Sequence, residues 1–289
     1  MTSAQPSSSI GSFLHRNDFL VRRLHSLSGL VPVGAYMTVH LIVNASILNG
    51  SAAFQKNVNA IHDLGAILPV VEWTFIFLPI IFHAVVGVWI AMSGKSNTTQ
   101  YAYTANRRYS MQRLTGYLAF IFIFVHVFHL HGWFHAQWWL TNVAEPLGMA
   151  QFRPYSAAST LAAAMTGVVW PVFYAAGVIA CCYHLANGIW TAGITWGVWL
   201  TPSAQKRATV ACSVFGIALT VVGLSALVGV KATNIEDAIA VESSIYDARV
   251  KSGEIKPNPH KRAGEHHEEK TPIPEVGQVI KSAPISGNN

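Results

Sequence analysis

A helix needs about 20 consecutive apolar residues to cross the hydrocarbon core of a bilayer, and five stretches of this chain meet that length: 27–48, 67–92, 114–132, 163–187 and 208–230. In hydrocarbon every backbone N–H and C=O must find its partner within the segment, so runs of this kind fold as helices. The expected fold class is therefore all-α, a five-helix transmembrane bundle. Around it the sequence suggests an N-terminal arm over 1–18, a membrane domain over 19–230 and a polar, flexible tail over 231–289. Charge agrees with this division, because only 11% of the residues are Asp, Glu, Lys or Arg, against about 25% in soluble domains. That balance argues against an ordinary soluble enzyme. Eleven of the 19 basic residues but only four of the 13 acidic ones precede Lys231, so the basic character belongs to the apolar body. These basic residues flank the apolar runs and form no continuous patch, which is a membrane pattern and not a nucleic-acid one.

The flanking charges also suggest an orientation. Arg16, Arg22 and Arg23 precede the first run, Lys95, Arg107, Arg108 and Arg113 lie between the second and third, and Lys206 and Arg207 between the fourth and fifth. The opposite connections hold only Lys56 and Arg153. Basic segments stay on the cytoplasmic side, so the N-terminus is expected inside and the C-terminus outside. Trp133, Trp138, Trp139, Trp190, Trp196 and Trp199 cluster near run ends, as interfacial aromatic residues do. Cys181, Cys182 and Cys212 sit within apolar stretches and read as packing residues. The Ser-rich N-terminus has no apolar segment before a small-residue cleavage site, so a cleaved signal peptide is not expected. The tail has Tyr246 as its one aromatic residue, too little apolar surface to offset the cost of ordering a chain. His260, His266 and His267 within it read as solvated residues, with metal binding the lesser alternative.

The anomaly is polar. His40, His83, His126 and His184 occur one in each of the first four runs, where ionisable side chains are costly and mark function. A single one reads as an interhelical hydrogen bond; four in consecutive helices do not. At 1.5 Å per residue, His40 lies about 20 Å from Leu27 and His126 about 18 Å from Leu114, while His83 lies about 14 Å from Met92 and His184 about 10 Å from Thr191. With alternate helices antiparallel, these depths sort into an outer pair, His40 with His126, and an inner pair, His83 with His184. In an up-down bundle such partners face each other diagonally. Two imidazoles at one depth suit a bis-histidine haem, whose filled axial positions leave electron transfer as its task. A zinc site wants about four ligands at one level.

His129 lies one turn from His126 and is the alternative ligand, with His126 preferred on depth, while His131 and His135 read as interfacial. Arg22, Arg23, His25 and Arg113 stand where an inner haem would present its propionates, a placement that positive-inside topology explains equally well. Gly29, Gly34, Gly87, Gly116, Gly177 and Gly188 would admit a flat macrocycle or, equally, close helix contact.

The segments RRLHSLSGLVPVGAYMTVHLIVN, FLPIIFHAVVGVWIA, QRLTGYLAFIFIFVHVFH and YHLANGIWTAGITWG, in this order, closely resemble the di-haem, five-span cytochrome b subunit of bacterial succinate dehydrogenase and fumarate reductase. The resemblance covers residues 19–230. It implies two haems b ligated by His40 with His126 and by His83 with His184, and a place in the bacterial cytoplasmic membrane. It further implies partner flavoprotein and iron-sulfur subunits on the cytoplasmic face, carrying FAD and the iron-sulfur clusters, and electron exchange with quinone, menaquinone in this subtype. Succinate oxidation by this chain alone is not expected. Near the outer pair, Asn44 and Glu72 are the quinone-site candidates, although Glu72 also suits a solvated helix start. Some relatives carry a glutamate two residues before the fourth histidine; here that residue is Cys182. The alternatives left open are a fumarate reductase anchor working in reverse and a haem-free, histidine-lined transporter.

Overall fold

All five apolar runs give long helices, and each helix reaches past its run at one end or both. The structure, a computed structural model, describes residues 16–93, 103–134 and 136–263. The spans are α1 (Asp18–Asn49), α3 (Gly65–Ser93), α4 (Asn106–His131), α6 (Val169–Thr195) and α7 (Pro202–Ala232). Among the shorter helices outside them are α2 (Ser51–His62), α5 (Ala157–Ala164) and α8 (Ile235–Lys251). Among the described residues there is no β-strand beyond a single bridge, Arg153 to Ser156.

α6 packs along both α4 and α7, and α7 along α1. Small residues allow the approach: a Cβ on Gly216 would stand 2.7 Å from that of Ala186, and one on Gly223 2.7 Å from Val178 Cγ1. Without a hydrophobic driving force between helices in lipid, such close backbone contact is the main source of attraction. The outward faces remain apolar, as at Val39, Val85, Phe124 and Val221. Three spans widen locally into π turns, over Gly29–Gly34, Trp73–Phe77 and Val127–His131. The first contains Pro32, which lacks an N–H and cannot continue a regular helix. Such turns re-aim the side chains around them.

The fourth span begins at Val169 and not at 163. Residues 157–164 are apolar but close into α5, and the chain turns at Gly167, whose φ of +72° lies in the left-handed region. The tail differs more. Read as unstructured from Lys231, it instead carries α7 on to Ala232 and then forms α8, whose Asn234 side chain accepts from Asp237 N–H. One face of α8, made of Ala238, Glu242, Tyr246 and Arg249, is buried against α2 and α5. Glu242 is 1% exposed and receives Ala158 N–H, Ser159 N–H and the Ser159 hydroxyl. Gln55 of α2 accepts from Ala157 N–H at 3.0 Å. Two side chains from distant segments thus satisfy the first N–H groups of α5, which no helix can satisfy for itself. Arg249 bridges Asp63 and Glu254, and Tyr155 N–H donates to Lys261 C=O at 2.9 Å. Residues 264–289, with His266 and His267, lie outside the described residues, as do Lys95 and His135.

Candidate functional site: histidines facing across the bundle

The four span histidines meet in two pairs. The rings of His40 and His126 have centroids 6.0 Å apart at 72°, and those of His83 and His184 are 6.1 Å apart at 84°. The helices concerned, α1 with α4 and α3 with α6, are not closely packed along their backbones, so the rings face each other across the core. Among the described residues no three His, Cys, Asp or Glu side chains converge on one point. The chemistry on offer at each level is therefore two opposed imidazoles.

The second ring nitrogens are engaged. His83 Nδ1 lies 3.0 Å from His25 C=O, and His184 Nδ1 lies 3.1 Å from Gln112 C=O. A carbonyl oxygen accepts only, so both rings carry their proton on Nδ1 and keep the Nε2 lone pair unprotonated. That is the tautomer a metal-binding imidazole shows. In the other pair His126 Nδ1 lies 3.3 Å from Tyr174 Oη, and His40 Nε2 lies 3.3 Å from Asn44 Nδ2, which also donates to His40 C=O at 2.8 Å.

Glycines make the space for two of these rings. A Cβ on Gly29 would stand 2.6 Å from His83 Nδ1, and one on Gly116 3.0 Å from His184 Cε1. Gly87 stands equally close to His25 Cε1, and Gly34 and Gly177 make room for Leu185 and Phe122 instead.

The basic residues named from sequence gather at the N-terminal end of α1. Arg22 bonds Asp18 at 2.9 Å and lies over Trp89. Arg23 lies between Phe19 and Trp196, and Arg113 bonds Ala91 C=O across to α3. His25 takes a different position from these: its ring stacks on His83, centroids 4.1 Å apart and 11° from parallel. Glu72 is part-exposed near the opposite end of α3, within Coulombic range of Tyr36 and of Lys261 from the segment after α8. His129 is 1% exposed, stacked on Trp170 with centroids 3.6 Å apart. Sequence reasoning missed Gln112, two residues before the third apolar run, and Tyr174, whose only signal was a hydroxyl inside the fourth. Gln112 also accepts from Asn187 Nδ2 at 2.8 Å.

Five apolar helices holding two opposed imidazole pairs at different depths define an integral membrane protein built around its buried histidines. No family model matches the chain. Over 213 residues it is 37% identical to the succinate dehydrogenase cytochrome b558 subunit of Bacillus subtilis (strain 168), a match covering 73% of this chain and 96% of that protein. The chain belongs to the succinate dehydrogenase cytochrome b558 subunit family.

Proposed function

We propose that the chain is the membrane anchor and electron-carrying subunit of a succinate:quinone oxidoreductase, with two haems b held by His40 with His126 and by His83 with His184. The observation that carries this reading is the ring spacing. Imidazole binds a metal at about 2 Å, and two imidazoles on opposite sides of one ion then have centroids about 6 Å apart, close to the 6.0 and 6.1 Å of the two pairs. The donor set fits as well at His83 and His184, where Nδ1–H bonded to a carbonyl leaves Nε2 as the ligand. Each histidine pair would hold one haem, and the haem would supply a one-electron couple suited to relaying electrons.

The residues of the chain bind and orient. Gly29 and Gly116 leave room for the inner rings, the carbonyls of His25 and Gln112 fix their tautomers, and Arg22, Arg23 and Arg113 supply positive charge for propionates at that end. Partner flavoprotein and iron-sulfur subunits, with FAD and the clusters, dock on this basic, cytoplasmic end; the C-terminus lies outside. At the other end Asn44 offers a donor and Glu72 a carboxylate for a quinone, menaquinone in this reading, with Glu72 exchanging the proton. Net direction, succinate oxidation or fumarate reduction, is set by the partners' potentials.

A pyridine haemochrome assay with redox difference spectra on the purified complex tests the reading. Two b-type haems per chain are expected. H40A and H126A should remove the same haem, H83A and H184A the other. A folded, haem-free preparation, or H40A and H126A losing different haems, refutes it.

A further inference from the structure

His126 and His129 stand one turn apart on α4, and both aim Nδ1 at a single phenol. Tyr174 Oη lies 3.3 Å from His126 Nδ1 and 3.0 Å from His129 Nδ1. Nothing in this cluster is free to swing. Tyr174 is 8% exposed and His129 1%, the His129 ring lies 10° from parallel on Trp170, and Phe122 meets the phenol edge-on at 5.5 Å.

The proton count then fixes a direction. A phenol has one proton to donate and lone pairs to accept with, and a neutral imidazole has one N–H and one lone pair. If His126 keeps Nε2 for a metal, its proton sits on Nδ1, and Nδ1–H donates to Tyr174 Oη. The phenol proton is left with His129 Nδ1 as its acceptor, so His129 holds its own proton on Nε2. The other arrangement that keeps His126 Nε2 free has both imidazoles donating to the phenol oxygen, and it leaves the buried phenol proton without an acceptor.

We propose that Tyr174, backed by His129, is the positioning residue that fixes the tautomer and ring plane of His126 and strengthens it as an electron donor to the outer haem. This rests on His126 being that haem's ligand. An acceptor at the far nitrogen of a ligating imidazole raises its basicity, and an acceptor that is itself hydrogen-bonded is the stronger for it. At the inner pair the nearer partners of Nδ1 are backbone carbonyls, at 3.0 and 3.1 Å, with the Ser28 and Thr115 hydroxyls at 3.5 Å, whereas at His126 the Nδ1 partner is the Tyr174 side chain. His129 is thereby given a role other than ligation.

The test is a redox titration with low-temperature EPR on the purified complex carrying Y174F or H129F, with haem counted in each. H129F keeps an aromatic ring against Trp170 and removes the acceptor. Y174F is expected to retain both haems, raise the midpoint potential of the outer one and shift its low-spin g values, leaving the inner haem unchanged. H129F should move the outer haem in the same direction by less. If Y174F holds one haem only, H129F decides: an upward shift supports the proposal, a wild-type midpoint overturns it. Unchanged potentials and g values in both variants, equal shifts of both haems, or loss of the outer haem in H129F with its retention in H126A also overturn it. A wild-type complex with fewer than two haems would instead remove the underlying reading, so the two failures are distinguishable.

Discussion

Substituting Gly29 by alanine adds one methyl group against one ring. The new Cβ would stand 2.6 Å from His83 Nδ1 and 3.1 Å from Nε2, where non-bonded heavy atoms rest about 3.5 Å apart or more. The ring must retreat by roughly 1 Å, while a metal–ligand distance tolerates about 0.2 Å. Movement in that direction also breaks the 3.0 Å bond from His83 Nδ1 to His25 C=O. Overpacking of this kind costs about 1–3 kcal/mol, which corresponds to a roughly 5- to 150-fold weaker hold on the inner haem. The outer pair lies a bundle level away and should be untouched. Haem content and resolved difference spectra of G29A are therefore expected to show the outer haem alone, or the inner one high-spin and easily lost. G116A provides a graded comparison, because its Cβ would meet His184 Cε1 at 3.0 Å and Nδ1 at 3.4 Å, a few tenths of an ångström from ordinary contact. It should retain the inner haem with a modest spectral shift. A G29A complex with two haems and wild-type spectra would refute the claim that this glycine exists to seat His83.

Replacing Glu242 by alanine leaves two N–H groups of α5 without their acceptor and the Ser159 hydroxyl with Ser156 C=O alone, at 3.3 Å. At about 1–3 kcal/mol per unsatisfied buried group, offset in part by relief of a buried charge, the opening free energy of α5 should fall by about 2 kcal/mol or more. Amide exchange at Ala158 and Ser159 would then rise roughly 30-fold, and unchanged exchange would count against the capping role. Burial holds the Glu242 carboxyl above the usual carboxylate range, against the downward pull of the Ser159 hydroxyl and the two amides. With the folded value raised above the unfolded one, about 4.3, its contribution is complete below that value and is lost as pH rises through the folded value. Protection of α5 is accordingly expected to weaken from pH 4 upward in the wild type, and to stay flat over that range in E242Q; the opposite slope would refute the assignment.

The spans and the four histidines were legible because each violates expectation in its own solvent. Twenty apolar residues have no other stable use, and an imidazole among them is an exception large enough to see. Their pairing was legible too, since helical rise converts sequence position into depth. The start of the fourth span was not. Hydropathy starts the run at 163, inside Ala157–Ala164, and the break before Val169 is a backbone turn at Gly167. α8 was missed for a different reason. Its buried face contains a glutamate and an arginine, which a composition argument assigns to water; their partners, Ser159 and Asp63, lie 83 and 186 residues away in sequence. Tyr174 was silent because an aromatic residue in a span is ordinary until its hydroxyl is found between two imidazoles.

The contact between Glu242 and α5 orders events in time. A chain synthesised as far as Ala232 already has all five spans and all four histidines, yet Ala158 N–H, Ser159 N–H and the Ser159 hydroxyl still lack the Glu242 carboxylate. That carboxylate arrives with α8, which is made after every span. Capping of α5 by Glu242 thus follows synthesis of the fifth span, and a ribosome that stops at Ala232 would leave the spans in place with Ala158 and Ser159 missing that acceptor.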